Sequence, residues 1–318
     1  MYYIGVDLGG TNIAIGVCDE KRNIVLKDKV PTGAHRETDL IIKDMAALCC
    51  DLVGRVGIGW DEVAYVGIAA PGTVDPARGV VMYCNNIKMF HYPICEKLAS
   101  MLPAKKPVYL ENDANAAALA EAKVGAGAGK DDVVLITLGT GLGGGIVIDG
   151  KLYSGFNYAG AELGHMVIAH NGKQCTCGAK GCWEAYSSAT GLVNMTKEKL
   201  RETKDTVMWD MAEGDIDKVS ARTAFTAAKQ GDRAGKEVVD EYIDYLACGM
   251  INIVNIFQPE VFCIGGGVCG EGDYLLKPLT KIVDEGQYGA ASREVKTAIR
   301  IAELGNDAGI IGAALIGE

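Results

Sequence analysis

The residues best suited to chemistry in this 318-residue chain lie between Glu162 and Glu184. Three of its eleven cysteines, Cys175, Cys177 and Cys182, fall within eight residues there, where an even spread would place about 0.3. Each offers a thiolate and His165 adds an imidazole nitrogen; three sulfurs and one nitrogen make the closed tetrahedral shell that structural zinc favours. Gly178 and Gly181 allow a loop tight enough for Cys177 and Cys182 to face one ion. A disulfide or a chance cluster is the competing reading. Glu162 stands three residues before His165, and Glu184 two after Cys182, so a metal knot would also fix two hydrogen-bond acceptors. The stretch is expected to be a binding site held rigid by zinc.

A second chemical pattern is a glycine turn set between two strands, and it occurs twice. Gly9-Gly10-Thr11-Asn12 separates Tyr2 to Asp7 from Ile13 to Cys18, and Gly139-Thr140-Gly141 separates Val133 to Leu138 from Gly143 to Ile148. A strand follows each turn, whereas the Walker P-loop and the dinucleotide fingerprint both need a helix there. Either turn alone reads as a tight hairpin. Facing one another across a cleft, the two would aim several N–H groups at one anion and hold a phosphate chain without many basic side chains. Asp7 could hold Mg²⁺, and Thr11 could hydrogen-bond a phosphate oxygen. Gly265-Gly266-Gly267, between a strand and a helix, would let adenosine approach the backbone.

Asp113 ends a strand and starts the helix-forming run Ala114 to Ala122. It is either an N-cap or a catalytic carboxylate, kept ionised by the helix N-terminus. Phosphoryl transfer asks for little covalent help, so an Asp that accepts a hydroxyl proton suffices. Asn112, Glu162, His165 and Glu184 supply the donors and acceptors that a polyhydroxylated substrate such as a sugar needs.

The elements that would position these residues follow from periodicity. Strands are expected at Tyr2 to Asp7, Ile13 to Cys18, Ile24 to Val30, Val63 to Ala69 and Val108 to Leu110, with helices over Thr38 to Val56 and near Tyr92 to Met101. A long loop through Asn85, Asn86 and Phe90 precedes that second helix. Val124 to Gly129 is the expected crossing to a second, architecturally repeated half. There, three helices near Ser188 to Arg201, Ala221 to Ala228 and Arg233 to Phe257 lead to strand Val261 to Ile264. A helix near Tyr274 to Glu285, strand Ile299 to Glu303 and a short helix from Asp307 to Ile316 complete the chain. The pattern implies two α/β domains with helices covering mixed sheets: residues 1–112, joined by 305–318, and residues 113–304.

Composition narrows the partners. Forty-one acidic against thirty-one basic residues give a net charge of -10, which disfavours nucleic acid and anionic membranes and leaves a small solute. The opening MYYIGVD has no basic n-region, and the cysteines show no regular pairing, so a reducing cytoplasm is expected. The uncharged run Val133 to Ile148 is shorter than the roughly 20 residues of a spanning helix, and its five glycines would weaken any helix. His35, His91 and His170 have no evident partners and read as surface or loop residues.

Four motifs then converge. DLGGTN from Asp7, ENDANAAALAE from Glu111, LGTGLGGG from Leu138 and ELGH…CTCGAKGCWE from Glu162 to Glu184 resemble, in order and over essentially the whole chain, the ROK family of sugar kinases. The resemblance implies the actin-like ATPase fold, with duplicated ribonuclease H-like α/β domains closing on substrate. It implies transfer of the ATP γ-phosphate to a hexose, commonly to the 6-hydroxyl of glucose, as in glycolysis. By the same resemblance Asp113 is the general base, and Gly72, Asn86, Asn112, Asp113, Glu162, His165 and Glu184 meet the sugar. His165, Cys175, Cys177 and Cys182 would bind zinc. Asp7, Gly9, Gly10, Thr11, Asn12, Gly139, Thr140 and Gly141 would hold the phosphates and Mg²⁺, and Gly265, Gly266 and Gly267 would lie near adenosine. Many members place a Trp after an Asn near the sugar; this chain has Asn85-Asn86-Ile87-Lys88-Met89-Phe90. N-acetylmannosamine, N-acetylglucosamine, allose and fructose therefore stand beside glucose as candidate sugars. The family also holds sugar-responsive repressors with an N-terminal helix–turn–helix, for which no room is expected before Asp7; a non-catalytic sugar sensor is the alternative. Members often form dimers or tetramers, so a homo-oligomer is expected.

Overall fold

A computed structural model of the chain describes residues 1–317; Glu318, the last residue of the expected 305–318 segment, lies outside them. The chain divides into two compact units. One is Met1–Leu135 with Gly145–Ala161 and the segment from Glu303 onward; the other is Ile136–Gly144 with Glu162–Ala302.

The first unit opens with an antiparallel meander of β1 (Tyr2–Leu8), β2 (Asn12–Cys18) and β3 (Ile24–Pro31). Helix α1 (Thr38–Val56) buries Ile41, Met45, Leu48 and Leu52 at helical spacing, and returns the chain to β4 (Val63–Ala70), which pairs parallel with β1. Next come β5 (Thr73–Asp75), β6 (Val80–Cys84) and β7 (Met89–Tyr92), an antiparallel sheet of their own. The expected long loop is thus a small sheet; strands of 3 to 5 residues are too short for alternation to reveal. Helix α2 (Ile94–Met101) leads to β8 (Val108–Asn112), parallel to β4, and to α3 (Asp113–Val124). The sheet order is β3-β2-β1-β4-β8.

The second five-stranded sheet uses β9 (Val133–Leu138), β10 (Leu142–Ile148), β11 (Lys151–Leu152), β12 (Val261–Gly265) and β13 (Ala298–Ile301), in the order β11-β10-β9-β12-β13. In each sheet the first strand is central, the second and third lie to one side and the fourth and fifth to the other, so the repeated design expected from the sequence is present. Helices α4 (Glu184–Ser187), α5 (Ala189–Glu202), α6 (Met208–Met211), α7 (Thr223–Lys229), α8 (Arg233–Phe257) and α9 (Asp273–Gly286) join β11 to β13 around β12. The short α4 and α6, four residues each, give no periodic signal and were not expected. Among the described residues no helix is long and apolar enough to cross a membrane.

The closing helix α10 (Ala308–Ala313) decides the geometry of the first unit. Gly5 faces Gly16 on β2 and Gly67 on β4 in register, making a row without side chains across three strands. A Cβ on Gly5 would stand 1.9 Å from the Ile310 carbonyl oxygen, and one on Gly67 1.8 Å from that of Ala313. The helix backbone therefore lies directly on the sheet. Its other side meets α3 as closely, since a Cβ on Gly312 would be 2.0 Å from the Ala116 carbonyl oxygen. The fully buried Glu121 of α3 holds the lead into α10. Its carboxylate accepts the N–H groups of Glu303 and Leu304 at 3.1 and 2.8 Å, and that of Ala126 at 2.8 Å. The Ala126 donor is buried and the other two partly so, and the buried Glu121 carboxylate would be costly to leave without them.

The close docking makes a paired prediction for urea unfolding. Gly67→Ala, which must displace the helix, is expected to lose about 2 kcal/mol or more. Gly54→Ala, on α1 where a Cβ meets nothing within 4 Å, is expected to gain about 0.5–1 kcal/mol. Similar effects at the two positions would contradict the docking.

Candidate active site and metal centre

In the first unit the candidate residues gather at the carboxyl ends of parallel strands. Asp7 faces Ala69 on β4, and Ala69 faces Glu111 on β8. Beyond Asp7 the turn closes when the Gly9 N–H donates to the Asn12 carbonyl at 3.0 Å. Buried Thr32, just past β3, fixes this turn: its hydroxyl donates to the Gly9 carbonyl at 2.6 Å and its N–H to that of Thr11 at 2.9 Å. With those carbonyls engaged, the Gly10 and Thr11 N–H groups have no partner among the described residues.

The expectation that Asp113 could hold the N-cap of α3 is corrected: that position is taken by Asn112. Its side-chain oxygen accepts from Ala114 and Asn115 at 2.9 and 3.2 Å, and its amide donates to the Gly72 carbonyl at 3.0 Å. Gly72 itself has φ 87° and no space for a Cβ, which would lie 2.2 Å from the Tyr83 carbonyl oxygen. Asp113 is the first residue of the helix, and its carboxylate accepts the Ala114 N–H at 2.8 Å. Burial, and then the negative charge of Asp113, push the Asp7 carboxyl up to about 6. Two mutually repelling carboxylates are a donor set that a divalent cation would relieve, so Asp7 suits Mg²⁺. The Gly309 backbone of α10 closes over Asp7; a Cβ there would be 2.6 Å from its carboxyl carbon. Asn86 is exposed in the turn between β6 and β7, with its N–H directed at the Cys84 sulfur.

In the second unit the turn Gly139-Thr140-Gly141 is built likewise. The Gly139 N–H donates to the Gly141 carbonyl at 3.0 Å, the Ala189 N–H to the Gly139 carbonyl at 2.8 Å, and the Thr190 hydroxyl to the Thr140 carbonyl at 2.7 Å. Again a threonine hydroxyl takes a turn carbonyl, and the N–H groups of Thr140 and Gly141 have no partner among the described residues. Gly266 packs on the strand entering this turn: φ is 93°, and a Cβ would be 2.4 Å from the Leu138 carbonyl oxygen. Gly265 ends β12, and Gly267, exposed, opens a short 3-10 turn ahead of α9.

The metal candidates also lie in this unit. The ligand atoms of His165, Cys175, Cys177 and Cys182 all fall within 4.8 Å of one another. His165 Nδ1 is 3.8 Å from Cys175 Sγ, and Cys177 Sγ is 3.7 Å from Cys182 Sγ. Ligands about 2.3 Å from a tetrahedral ion stand about 3.8 Å apart, so one zinc fits the four. The loop owes its shape to Gly178 at φ 95° and Gly181 at φ 84°, where a Cβ would be 1.8 Å from the Ala169 carbonyl oxygen. Burial pushes the Cys182 thiol up, while the Ala179 N–H draws that of Cys177 down. With Nδ1 turned to the sulfurs, the Nε2 edge of the His165 ring points the other way. Glu162 precedes the short turn Leu163–His165, and its carbonyl accepts the His165 N–H at 3.0 Å. Fully buried Trp183 fastens the far end of the loop: a Cβ on Gly249 of α8 would be 2.1 Å from its ring, and its Nε1 donates to the Tyr245 carbonyl at 3.0 Å. Glu184, next along, opens α4; its Oε2 accepts the Leu142 N–H at 2.9 Å.

The structure thus assembles Asp7, Gly9 to Asn12, Gly72, Asn112 and Asp113 in the first unit. Gly139 to Gly141, Glu162, His165, Glu184, the three cysteines and Gly265 to Gly267 fall in the second. Sequence reasoning missed Thr32, Thr190, Glu111 and Glu121. Glu111 is buried, which pushes its carboxyl up, and it accepts from the Asn112 N–H and the Asn115 amide at 2.9 and 3.0 Å. An Asn four residues after a Glu at a helix start was the available signal; for the threonines, whose partners are distant in sequence, there was none.

Comparison with known proteins agrees with this arrangement. Residues 3–318 match the ROK family. A glucokinase of Thermotoga maritima is 39% identical over 98% of this chain and 96% of its own length; one of Streptomyces coelicolor shows the same identity and the same shares. A solved ROK family glucokinase from Streptomyces griseus, in complex with glucose and AMPPNP, is 37% identical, covers 99% of each chain and superposes with a TM-score of 0.81. Matched from end to end in sequence and in backbone, the chain belongs to the ROK family and has its actin-like ATPase fold.

Proposed function

We propose that the chain is an ATP-dependent hexose kinase whose substrate is glucose, phosphorylated at its 6-hydroxyl. The observation that carries the reading is the matched pair of turns: in each, a threonine hydroxyl and a backbone N–H tie back carbonyls, leaving adjacent N–H groups for phosphate oxygens. The glucokinase names of the relatives, and the glucose and nucleotide analogue in one of them, favour glucose over the other sugars. Asn112, Glu162, His165 and Glu184 would hold the sugar hydroxyls, with Gly72 and Asn86 beside them. Asp113 would accept the hydroxyl proton as the oxygen attacks the γ-phosphorus, and ADP would leave. Gly265 to Gly267 would border adenosine. Mg²⁺, bound with the nucleotide, would supply charge neutralisation at the phosphates, and Asp7 would orient it. Zinc would supply a structural knot, since four protein donors leave no position for substrate. It would set the direction of the His165 ring.

Turnover tests the base directly. Asp113→Asn is expected to lower kcat by about 10²–10⁴-fold while glucose affinity changes little; near-normal turnover would overturn the assignment.

The Asp7 carboxyl gives a second test by carbon NMR of ligand-free protein. It should titrate near 6, and Asp113→Asn should lower that value while leaving it above 3.8, because burial remains. The raised value means that ionising Asp7 opposes folding. Stability tied to this group is full below pH 3.8, falls as pH rises through about 6, and amounts to at most about 3 kcal/mol. Asp7→Asn should therefore raise Tm at pH 8, and hardly at pH 4, while abolishing turnover.

Cys177→Ser is expected to reduce zinc content, measured by mass spectrometry, and to weaken glucose binding with it. Wild-type glucose affinity in zinc-free protein would break that link.

A further inference from the structure

Glu184 sits where a sugar contact alone does not require it. Its Oε2 accepts the Leu142 N–H at 2.9 Å and fills the space that a side chain on the preceding Gly141 would need, since a Cβ there would be 2.5 Å from that oxygen. Its Oε1 accepts the Thr176 hydroxyl at 3.4 Å and faces the Cys175 sulfur at 3.7 Å. Thr176 lies between two of the zinc-site cysteines, and as a metal ligand Cys175 would be a thiolate with no proton to donate. The hydroxyl of Thr176 is then the donor that joins the metal loop to Glu184. The opposite side of the same turn is already held by Ala189 and Thr190.

We infer that Glu184 is a positioning residue for the Gly139-Thr140-Gly141 turn, through a relay from Thr176 in the metal loop to Glu184 to the Leu142 N–H. The inference rests on the reading that this turn takes nucleotide phosphate. A carboxylate repels phosphate, so Glu184 contributes by geometry: it consumes the Leu142 donor and pins the end of the turn, so that the Thr140 and Gly141 N–H groups converge on one point. Loss of that charge-assisted bond frees Leu142 and loosens the turn. Nucleotide affinity then depends on Glu184 and Thr176 with no sugar present.

The test measures Mg²⁺–ADP binding by calorimetry without sugar, amide hydrogen exchange at Leu142 without any ligand, and zinc content. Glu184→Ala is expected to weaken ADP about tenfold and to speed exchange at Leu142. Glu184→Gln, which keeps an acceptor oxygen, should restore most of both. Thr176→Val should shift both in the same direction at unchanged zinc content, and Thr176→Ser should restore them. Wild-type ADP affinity and wild-type Leu142 exchange in Glu184→Ala, with only glucose affinity reduced, would overturn the inference and leave Glu184 as a sugar contact. Should the wild-type protein fail to bind ADP, the nucleotide reading of the turn falls, and with it the link to phosphate; Leu142 exchange separately decides whether Glu184 holds the turn.

Discussion

The first unit depends on one constraint: the backbone of α10 rests on a sheet that has no side chains beneath it. Gly5 and Gly67 let the carbonyls of Ile310 and Ala313 approach to a distance that any Cβ would forbid. Two consequences follow for the site. The Gly309 backbone covers Asp7 and removes it from water, which is the larger cause of its raised pKa. Contact through Gly312 and Ala116 seats α3 beside the same sheet, so Asp113, at the start of α3, adds its charge to the field at Asp7. Glu121 locks the arrangement by taking the N–H groups of Glu303 and Leu304. A segment at the end of the chain thus sets the electrostatics of residues near its beginning and middle.

The second unit reaches a comparable order by other means. The loop of the candidate metal site, Trp183 and the start of α4 form a continuous path, fastened to α8 through Trp183. Glu184 leaves that path toward the Gly139–Gly141 turn. The two five-stranded sheets share the same strand order, and the turn after each central strand has a threonine hydroxyl on a turn carbonyl. They differ in what braces the turn: a strand end at Thr32, and a helix start at Ala189 and Thr190.

Legibility in the sequence followed the range of the interactions. The candidate zinc donors fall within 18 residues of one another, and three sulfurs with one nitrogen suit that ion, so the set is legible before any fold. The glycine turns were visible because strand patterns flank them. Asn112 and Asp113 are adjacent and both able to cap, and composition cannot choose between them; the structure gives the cap to Asn112 because its oxygen reaches two helical N–H groups. Gly5, Gly16 and Gly67 lie within strands and offer no local signal of a role. Their purpose appears only when α10, some 240 residues or more away in sequence, is laid over them. Glu121 ends the motif ENDANAAALAE, yet its partners at Glu303 and Leu304 lie beyond any local window. The sheet β5 to β7 leaves no mark in the sequence because its strands are shorter than the window that detects alternation.

The central claim, that these residues together transfer phosphate from ATP to a hexose, is tested most directly by the product. Purified protein incubated with ATP, Mg²⁺ and glucose should yield ADP and glucose 6-phosphate in equal amounts, with the phosphorylated position read by phosphorus and carbon NMR. Absence of any sugar phosphate from glucose and from a panel of hexoses and amino sugars would contradict it.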